Sequence, residues 1–405
     1  MKLHKIFSRF LPIVLLSLTI SSCQEDIVNI DELLEQSQTN KKSEDDPQIL
    51  AVYDYTTYMA SGTTSTPCDE AEMGQRLVIS GENLEGVTAL SFLGHDIDKT
   101  DYYAQWDMII MSVPYKLPEK DAANNISCTT KFGVVEYPIG ISIPNITISG
   151  VTNEFQMPGT QVDINGAYLS LCEFETNTSK IYIENTGSAY KTQVEIVQVT
   201  DEVVTVVIPD DAPDNSYFTF EVAGETLEQK IHYRPTDLLL VPDTDSEAIV
   251  AAGANYGTFI NGEIESDMVN IFGDAAKYFR FKGSIPAGTM LSVFYVTDAF
   301  ELEEGKDASD YEFVYEINTK AGCAIPVGTT YKLMVNNVGI NMWGDYSKVT
   351  IDTNGEWVTQ RIDYTTVKAN LTAAGDYHKF NIKAVGALSN ADHTFANFRI
   401  EPIIK

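Results

Sequence analysis

From Tyr53 onward the chain runs in short stretches where apolar and polar residues alternate, each bounded by Gly, Pro, Asn or Asp. "QRLVISG", "TALSFLG", "DMIIMSV", "KIYIEN", "EVVTVVIP" and "YFTFEVAG" all follow this period of two and are rich in β-branched and aromatic residues. Alternation turns every second side chain toward one face, which predicts strands with a single buried side, and the turn spacing predicts β-sandwiches. Residues 24–48 lack that texture. They contain the polar, aromatic-free "QSQTNKKSEDDP" and predict a flexible stalk, with at most a helical turn around "IDELLEQ".

The pattern repeats. "GQRLVISGENL" begins at Gly74 and "GTQVDINGAYL" at Gly159, so that Gly74, Gly81 and Leu84 recur as Gly159, Gly166 and Leu169. Each copy later has a strand ending in proline, at Pro114 and Pro209. The glycines suit turns that need positive φ, and the Ile and Leu positions alternate into a core. Two tandem domains of like fold are predicted, 49–145 and 146–233. They resemble the IPT/TIG family of immunoglobulin-like sandwiches, and "ISGENLEGVTALSFLG" carries that family's "G-V" before an apolar strand. The second copy lacks it. The resemblance implies rigid spacers without chemistry of their own.

"HYRPTD" marks a boundary, and residues 234–405 hold eight or so further strands, among them "YFRFKG", "YKLMVNN", "EWVTQRIDY" and "FANFRIEP". A jelly-roll-like β-sandwich is expected there. The last of these is similar to the final strand of carbohydrate-binding modules, with Ala396 where many have an Asp.

The N-terminus has basic residues at Lys2, Lys5 and Arg9, then the apolar "LPIVLLSLTI", then "SSC" ending at Cys23. That order describes a secretory signal over residues 1–22, with an apolar run too short to span a bilayer. It is similar to bacterial lipoprotein signals, which implies lipidation of Cys23, a lipidated linker over 23–48, and attachment to the outer membrane by lipid alone. The acidic "QEDIVNIDELLEQ" that follows resembles the signal for export to the outer cell face.

Charge narrows the partners. The 405 residues carry 58 Asp and Glu against 27 Lys and Arg, a net charge of −31. Such a body repels phosphate backbones, which argues against nucleic acid. Beyond Cys23 the cysteines are Cys68, Cys128, Cys172 and Cys323, with no C-x-x-C pair to suggest zinc or thioredoxin chemistry. Cys68 and Cys128 share a predicted domain and could pair in an oxidising compartment; buried free thiols fit equally.

Catalysis finds little support. There is no G-x-S-x-G elbow, and with so many carboxylates any acid pair could be drawn. Asp243, Asp245 and Glu247 alternate in "PDTDSE", but no EF-hand loop follows, so no metal or cofactor is predicted.

The aromatic residues give a better lead. "MWGDYSKVTIDTNGEW" places Trp343, Tyr346 and Trp357 in one stretch with Asn341, Asp345, Asn354 and Glu356; Asn336 and Asn337 lie just upstream. Sugars present an apolar C–H face and a rim of hydroxyls, which stacked rings and nearby Asn, Asp and Gln can meet together. Trp343, in a Gly-bounded loop, is expected to be the stacking residue. Trp357 and Tyr346 fit either core or surface, and Trp106 is expected in the core or in a patch that supports domain packing.

The whole order of parts resembles surface glycan-binding protein B of starch-utilisation-type systems. "WGDYSKVTIDTNGEWVTQRIDY" is similar to that family's loop Trp followed by G-x-W-x-T. The resemblance implies a non-enzymatic lipoprotein exposed at the cell surface. It would bind a neutral polysaccharide such as xyloglucan, β-glucan or mannan, beside a Sus-like outer-membrane transporter and its glycan-binding lipoprotein. The matching residues are Trp343 and Trp357, with Tyr346, Tyr256, Asn341 and Asp345 added by neighbourhood. The alternative is a stalked adhesin or scaffold that binds protein, and a glycoside hydrolase stands third.

Overall fold

A computed structural model of the chain describes residues 46–119, 122–176, 178–239, 257–262, 265–271, 276–296, 304–335, 338–343, 345, 347–368 and 378–403. Cys23 and Asp243, Asp245 and Glu247 lie outside the described residues. The protein is all-β, as the alternation predicts, and its strands pair antiparallel. Among the described residues no helix is long and apolar enough to cross a membrane.

The described chain divides into two compact units, one within Met1–Pro114 and Ala123–Ile141, the other within Tyr115–Ala122 and Ser142–Lys405. In the first unit, one sheet runs in the order Gln48–Asp54, Arg76–Glu82, Met108–Ser112, Tyr102–Ala104. The second is ordered His95–Asp96, Val87–Phe92, Asn125–Thr130, Gly133–Pro138. Between them the alternating residues Val52, Leu77, Ile79, Leu90, Phe92, Ile109, Met111 and Ile126 form one core. Cys68 and Cys128 are free thiols. Burial raises the Cys128 thiol to about 11, so it is inert packing.

The sequence repeat is a structural one. In the second unit Thr147–Val151, Gln161–Ala167, Val203–Val207 and Glu195–Val199 reproduce the first sheet. Tyr190–Gln193, Lys180–Asn185, Ser216–Val222 and Glu225–Tyr233 form the facing one. The recurring glycines do two different jobs. Gly74 and Gly159 have φ of 75° and 77°, as a turn glycine should. Gly81 and Gly166 do not; they are needed because a Cβ there would run into the carbonyl oxygens of Gln48 and Thr147. The same Cβ would press on Leu84 and Leu169, the other recurring residues, at 2.8 and 2.9 Å.

The C-terminal sandwich packs a five-stranded sheet on a four-stranded one. The first is ordered Gly257–Gly262, Ala276–Ile285, Leu388–Pro402, Tyr311–Thr319, Trp357–Asp363, and the second Met290–Val296, His378–Val385, Thr330–Val335, Val338–Asn341. Phe281, Phe313, Tyr315, Tyr331, Phe380, Phe395 and Phe398 fill the space between them. Deep in this core His393 bridges Tyr331 Oη, 2.5 Å from Nδ1, and the Cys323 carbonyl, 2.6 Å from Nε2. The carbonyl can only accept, so Nε2 carries the proton and the phenol donates to Nδ1.

The second repeat is bonded to this sandwich. Arg399 is fully buried and reaches Glu154 of the repeat at 2.5 Å and Glu316 at 2.9 Å, and it also pairs with Glu401. Glu154 pairs as well with Arg361, which holds Glu312 at 3.1 Å. The Glu154 amide donates to Thr359 Oγ1 at 2.9 Å, and the Thr359 amide donates to the Thr152 carbonyl at 2.8 Å. Phe155, from the same loop, packs with Ile271, Tyr278, Trp357 and Ala396.

Candidate functional site

Among the tryptophans proposed for stacking, Trp357 is corrected to a core residue, 2% exposed. It lies under Phe155 of the second repeat, edge-on to Tyr278 at 6.4 Å, with its indole N–H donated to the Val269 carbonyl at 2.9 Å. Asn354 and Glu356 are exposed in the turn that leads into its strand. Tyr256, Tyr346, Asn336 and Asn337 lie outside the described residues.

Trp343 is also corrected as an open platform. It follows the edge strand Val338–Asn341 and is 5% exposed, its ring edge-on to Tyr331 at 6.0 Å in the main core. Tyr315 Oη anchors the preceding residue by donating to the Met342 carbonyl. Among the described residues the buried indole N–H of Trp343 has no hydrogen-bond partner. Such a donor costs about 1–3 kcal/mol when left unmet, so something polar arriving beside it would relieve that cost.

Trp343 lines a recess of about 520 Å³ with Ile340, Asn341, Asp345, Arg361, Ile362, Asp363 and Thr366. Small-molecule sites commonly enclose roughly 300–1,000 Å³. The recess therefore gathers three of the expected residues, Trp343, Asn341 and Asp345. It adds residues from the far end of the strand Trp357–Asp363 and from the short helix Tyr364–Lys368. Trp357 begins that strand and Asp363 ends it, about 20 Å away at the usual rise per residue, so the two tryptophans cannot share one sugar ring.

Three polar groups of the recess are held in place by bonds. Asp363 Oδ1 accepts from the Thr365 amide at 2.9 Å and its hydroxyl at 2.7 Å, capping the helix. Asp345 Oδ2 pairs with Lys348 at 2.7 Å and its Oδ1 accepts from the Ser347 amide at 3.1 Å; these bonds hold its carboxyl below the usual carboxylate range. Arg361 is committed to Glu154 and Glu312. The recess thus offers apolar walls, amide and hydroxyl groups, and two carboxylates against one engaged cation. This suits a neutral polyol better than an anion. Sequence reasoning missed Arg361, Asp363 and Thr366. The cap signal "DYTT" was legible, but its place beside Trp343 depends on sheet closure.

Among the described residues no group of three His, Cys, Asp or Glu side chains is placed to hold a metal ion.

No protein-family model matches the chain, and no curated protein matches it. Solved structures do. The chain is similar to the surface glycan-binding protein PbSGBP-B from Prevotella bryantii, at 13% identity and a TM-score of 0.49, over 88% of this chain and 99% of that one. It is similar to SGBP-B from a complex xyloglucan utilization locus in Bacteroides uniformis, at 15% identity and a TM-score of 0.43, over 89% and 100% of the two chains. A third is the mixed-linkage glucan utilization locus SGBP-B of Bacteroides ovatus in complex with a mixed-linkage heptasaccharide. It is 11% identical with a TM-score of 0.23, over 82% of this chain and 72% of that one. These are structures of the family that the sequence resembles.

Proposed function

We propose that the chain is a non-enzymatic lipoprotein of the cell surface, anchored through Cys23, that holds a neutral polysaccharide and delivers it to a partner outer-membrane transporter. The recess at Trp343 carries this reading: an indole N–H without a partner among the described residues, apolar walls and several fixed polar groups meet in one place. The net charge of −31 keeps anionic polymers away. Asp345 is held ionised by Lys348, the opposite of what a general acid in glycoside hydrolysis needs. The basic, apolar and "SSC" order before Cys23 supports the lipid anchor. Many tethered copies meeting one long polymer would turn a weak single-site affinity into firm retention.

The burial of Trp343 also favours a second reading, a stalked scaffold that binds protein. Affinity electrophoresis of residues 24–405 through gels of xyloglucan, β-glucan and mannan separates the two. Retardation by one polysaccharide that Asn341→Ala weakens supports glycan binding at the recess. If no polysaccharide retards the protein, the scaffold reading takes its place.

A further inference from the structure

While Trp343 and Trp357 are enclosed, Trp106 is 44% exposed. It sits at the tip of the hairpin formed by Tyr102–Ala104 and Met108–Ser112. Three backbone bonds fix that tip. The Leu84 amide donates to the Trp106 carbonyl at 3.0 Å, the Gly81 amide to the Asp107 carbonyl at 2.9 Å, and the Gln105 amide to the Met108 carbonyl at 2.7 Å.

The second repeat makes the same three bonds without a tryptophan. There the Leu169 amide donates to the Asp201 carbonyl at 3.0 Å, the Gly166 amide to the Glu202 carbonyl at 2.9 Å, and the Thr200 amide to the Val203 carbonyl at 2.8 Å. Asp201 stands where the first copy has Trp106, and its carboxylate accepts from the Ser170 hydroxyl. The three main-chain bonds therefore form with either side chain at this position.

In the same hairpin, the Gln105 side-chain amide donates to Tyr103 Oη at 2.7 Å. Tyr103 is half-buried and pairs with Ile110, whose side packs into the cluster of Tyr53, Tyr58 and Val78 on the sheet's outer face. The hairpin therefore carries one exposed flat ring together with an oriented amide and a phenol. We propose that Trp106, with Gln105 and Tyr103, is a second saccharide-binding surface, on the first repeat, that stacks one pyranose ring of a neutral glycan. The exposed part of one indole covers on the order of 100 Å². That matches a sugar face and falls far below the roughly 800 Å² per partner of a stable protein interface. Asp101 and Asp107, in the same segment of chain, add negative charge that disfavours an anionic ligand.

This surface rests on the reading that the chain binds neutral polysaccharide, and the test separates the two. Affinity electrophoresis is run on residues 24–405 with the same three polysaccharides, comparing wild type, Trp106→Ala and Asn341→Ala, with melting followed by circular dichroism. The surface predicts that Trp106→Ala weakens retardation at least about fivefold, the loss of one stacked ring face, with unchanged melting. It also predicts that the retarding polysaccharide protects wild-type fluorescence from acrylamide, a protection absent in Trp106→Phe. Should wild type be retarded while Trp106→Ala is retarded equally and no protection is seen, the second surface is overturned and the recess stands. If Trp106→Ala abolishes retardation and Asn341→Ala changes nothing, the second surface is supported and the recess loses its role. Wild type that no polysaccharide retards overturns both.

Discussion

Glu154 and Arg399 lie 245 residues apart in sequence and meet at 2.5 Å with both side chains fully enclosed. Neither could be buried alone, because an isolated ion loses its hydration without return. The second repeat supplies the carboxylate and the last strand of the C-terminal sandwich supplies the guanidinium. The joint is thus assembled only when both parts are folded.

Removing the cation should be costly. Arg399→Met leaves Glu154, Glu316 and Glu401 enclosed without their common partner. A loss of about 3–5 kcal/mol is expected, as for other broken buried pairs. Denaturant unfolding followed by tryptophan emission reads it, since Trp357 sits within the joint. A loss below 1 kcal/mol would mean that the ions contribute little to holding it.

The joint also predicts a pH dependence. Burial pushes the Glu316 carboxyl up to about 7, against the pull of Arg399, and raises Glu154 in the same direction. Between its ordinary value near 4.5 and 7, Glu316 binds more proton folded than unfolded. Its contribution is present below the unfolded value and is lost as pH rises through the folded one. Unfolding free energy should therefore fall between pH 5 and pH 8 by up to about 3 kcal/mol from this group. Urea titrations of Glu316→Gln should show that dependence flattened; an unaltered slope would assign it elsewhere.

His393 should behave in the opposite sense. Burial lowers its pKa below the ordinary value, and its two nitrogens are already committed to Tyr331 and the Cys323 carbonyl. Its contribution is present while the ring is neutral and is lost as pH falls through the lowered value. By NMR the imidazole carbon protons should titrate at lower pH than those of a free imidazole, with the Nε2–H tautomer above that range. Tyr331→Phe, which strips Nδ1 of its donor, should cost about 1–3 kcal/mol.

Gly81→Ala and Gly166→Ala should each destabilise by about 1–3 kcal/mol or more, because the added methyl meets a main-chain carbonyl that is tied into a sheet. Gly187→Ala, whose Cβ would meet only Asn185 Oδ1 at 3.4 Å, provides the contrast and should change melting little. Equal melting temperatures in all three would refute the close-approach account.

Trp343→Ala should lose about 3–5 kcal/mol, the cost of emptying an aromatic site in a packed core. Thermal unfolding measures this, and Trp343→Phe should recover most of it. A fully stable Trp343→Ala would restore the residue as an open platform.

How much of this was legible follows the range of the interactions involved. Gly81, Leu84, Gly166 and Leu169 announce the repeat because each acts within a few residues of chain. The strands follow from alternation, which needs no knowledge of partners. The fate of Trp357 could not be read, because its ring is covered by Phe155 and capped by the Val269 carbonyl, 202 and 88 positions away. Trp343 misled for a related reason: glycines on either side suggested an open loop, yet Tyr315 draws the Met342 carbonyl inward and the ring with it. Trp106 misled in reverse, since its apolar neighbours Met108 and Ile109 belong to the strand that packs into the sheet, whereas Trp106 sits in the turn before it.

The double use of Arg361 has a mechanical consequence. One face of this side chain lines the recess, while its guanidinium grips Glu154 in the second repeat. A pull on any molecule lodged there is shared between two sandwiches through this arginine, alongside the Arg399 and Thr359 bonds of the same joint. The recess wall therefore has no independent suspension. Whatever direction the second repeat takes, the mouth of the recess turns with it, like a hook forged onto its shank.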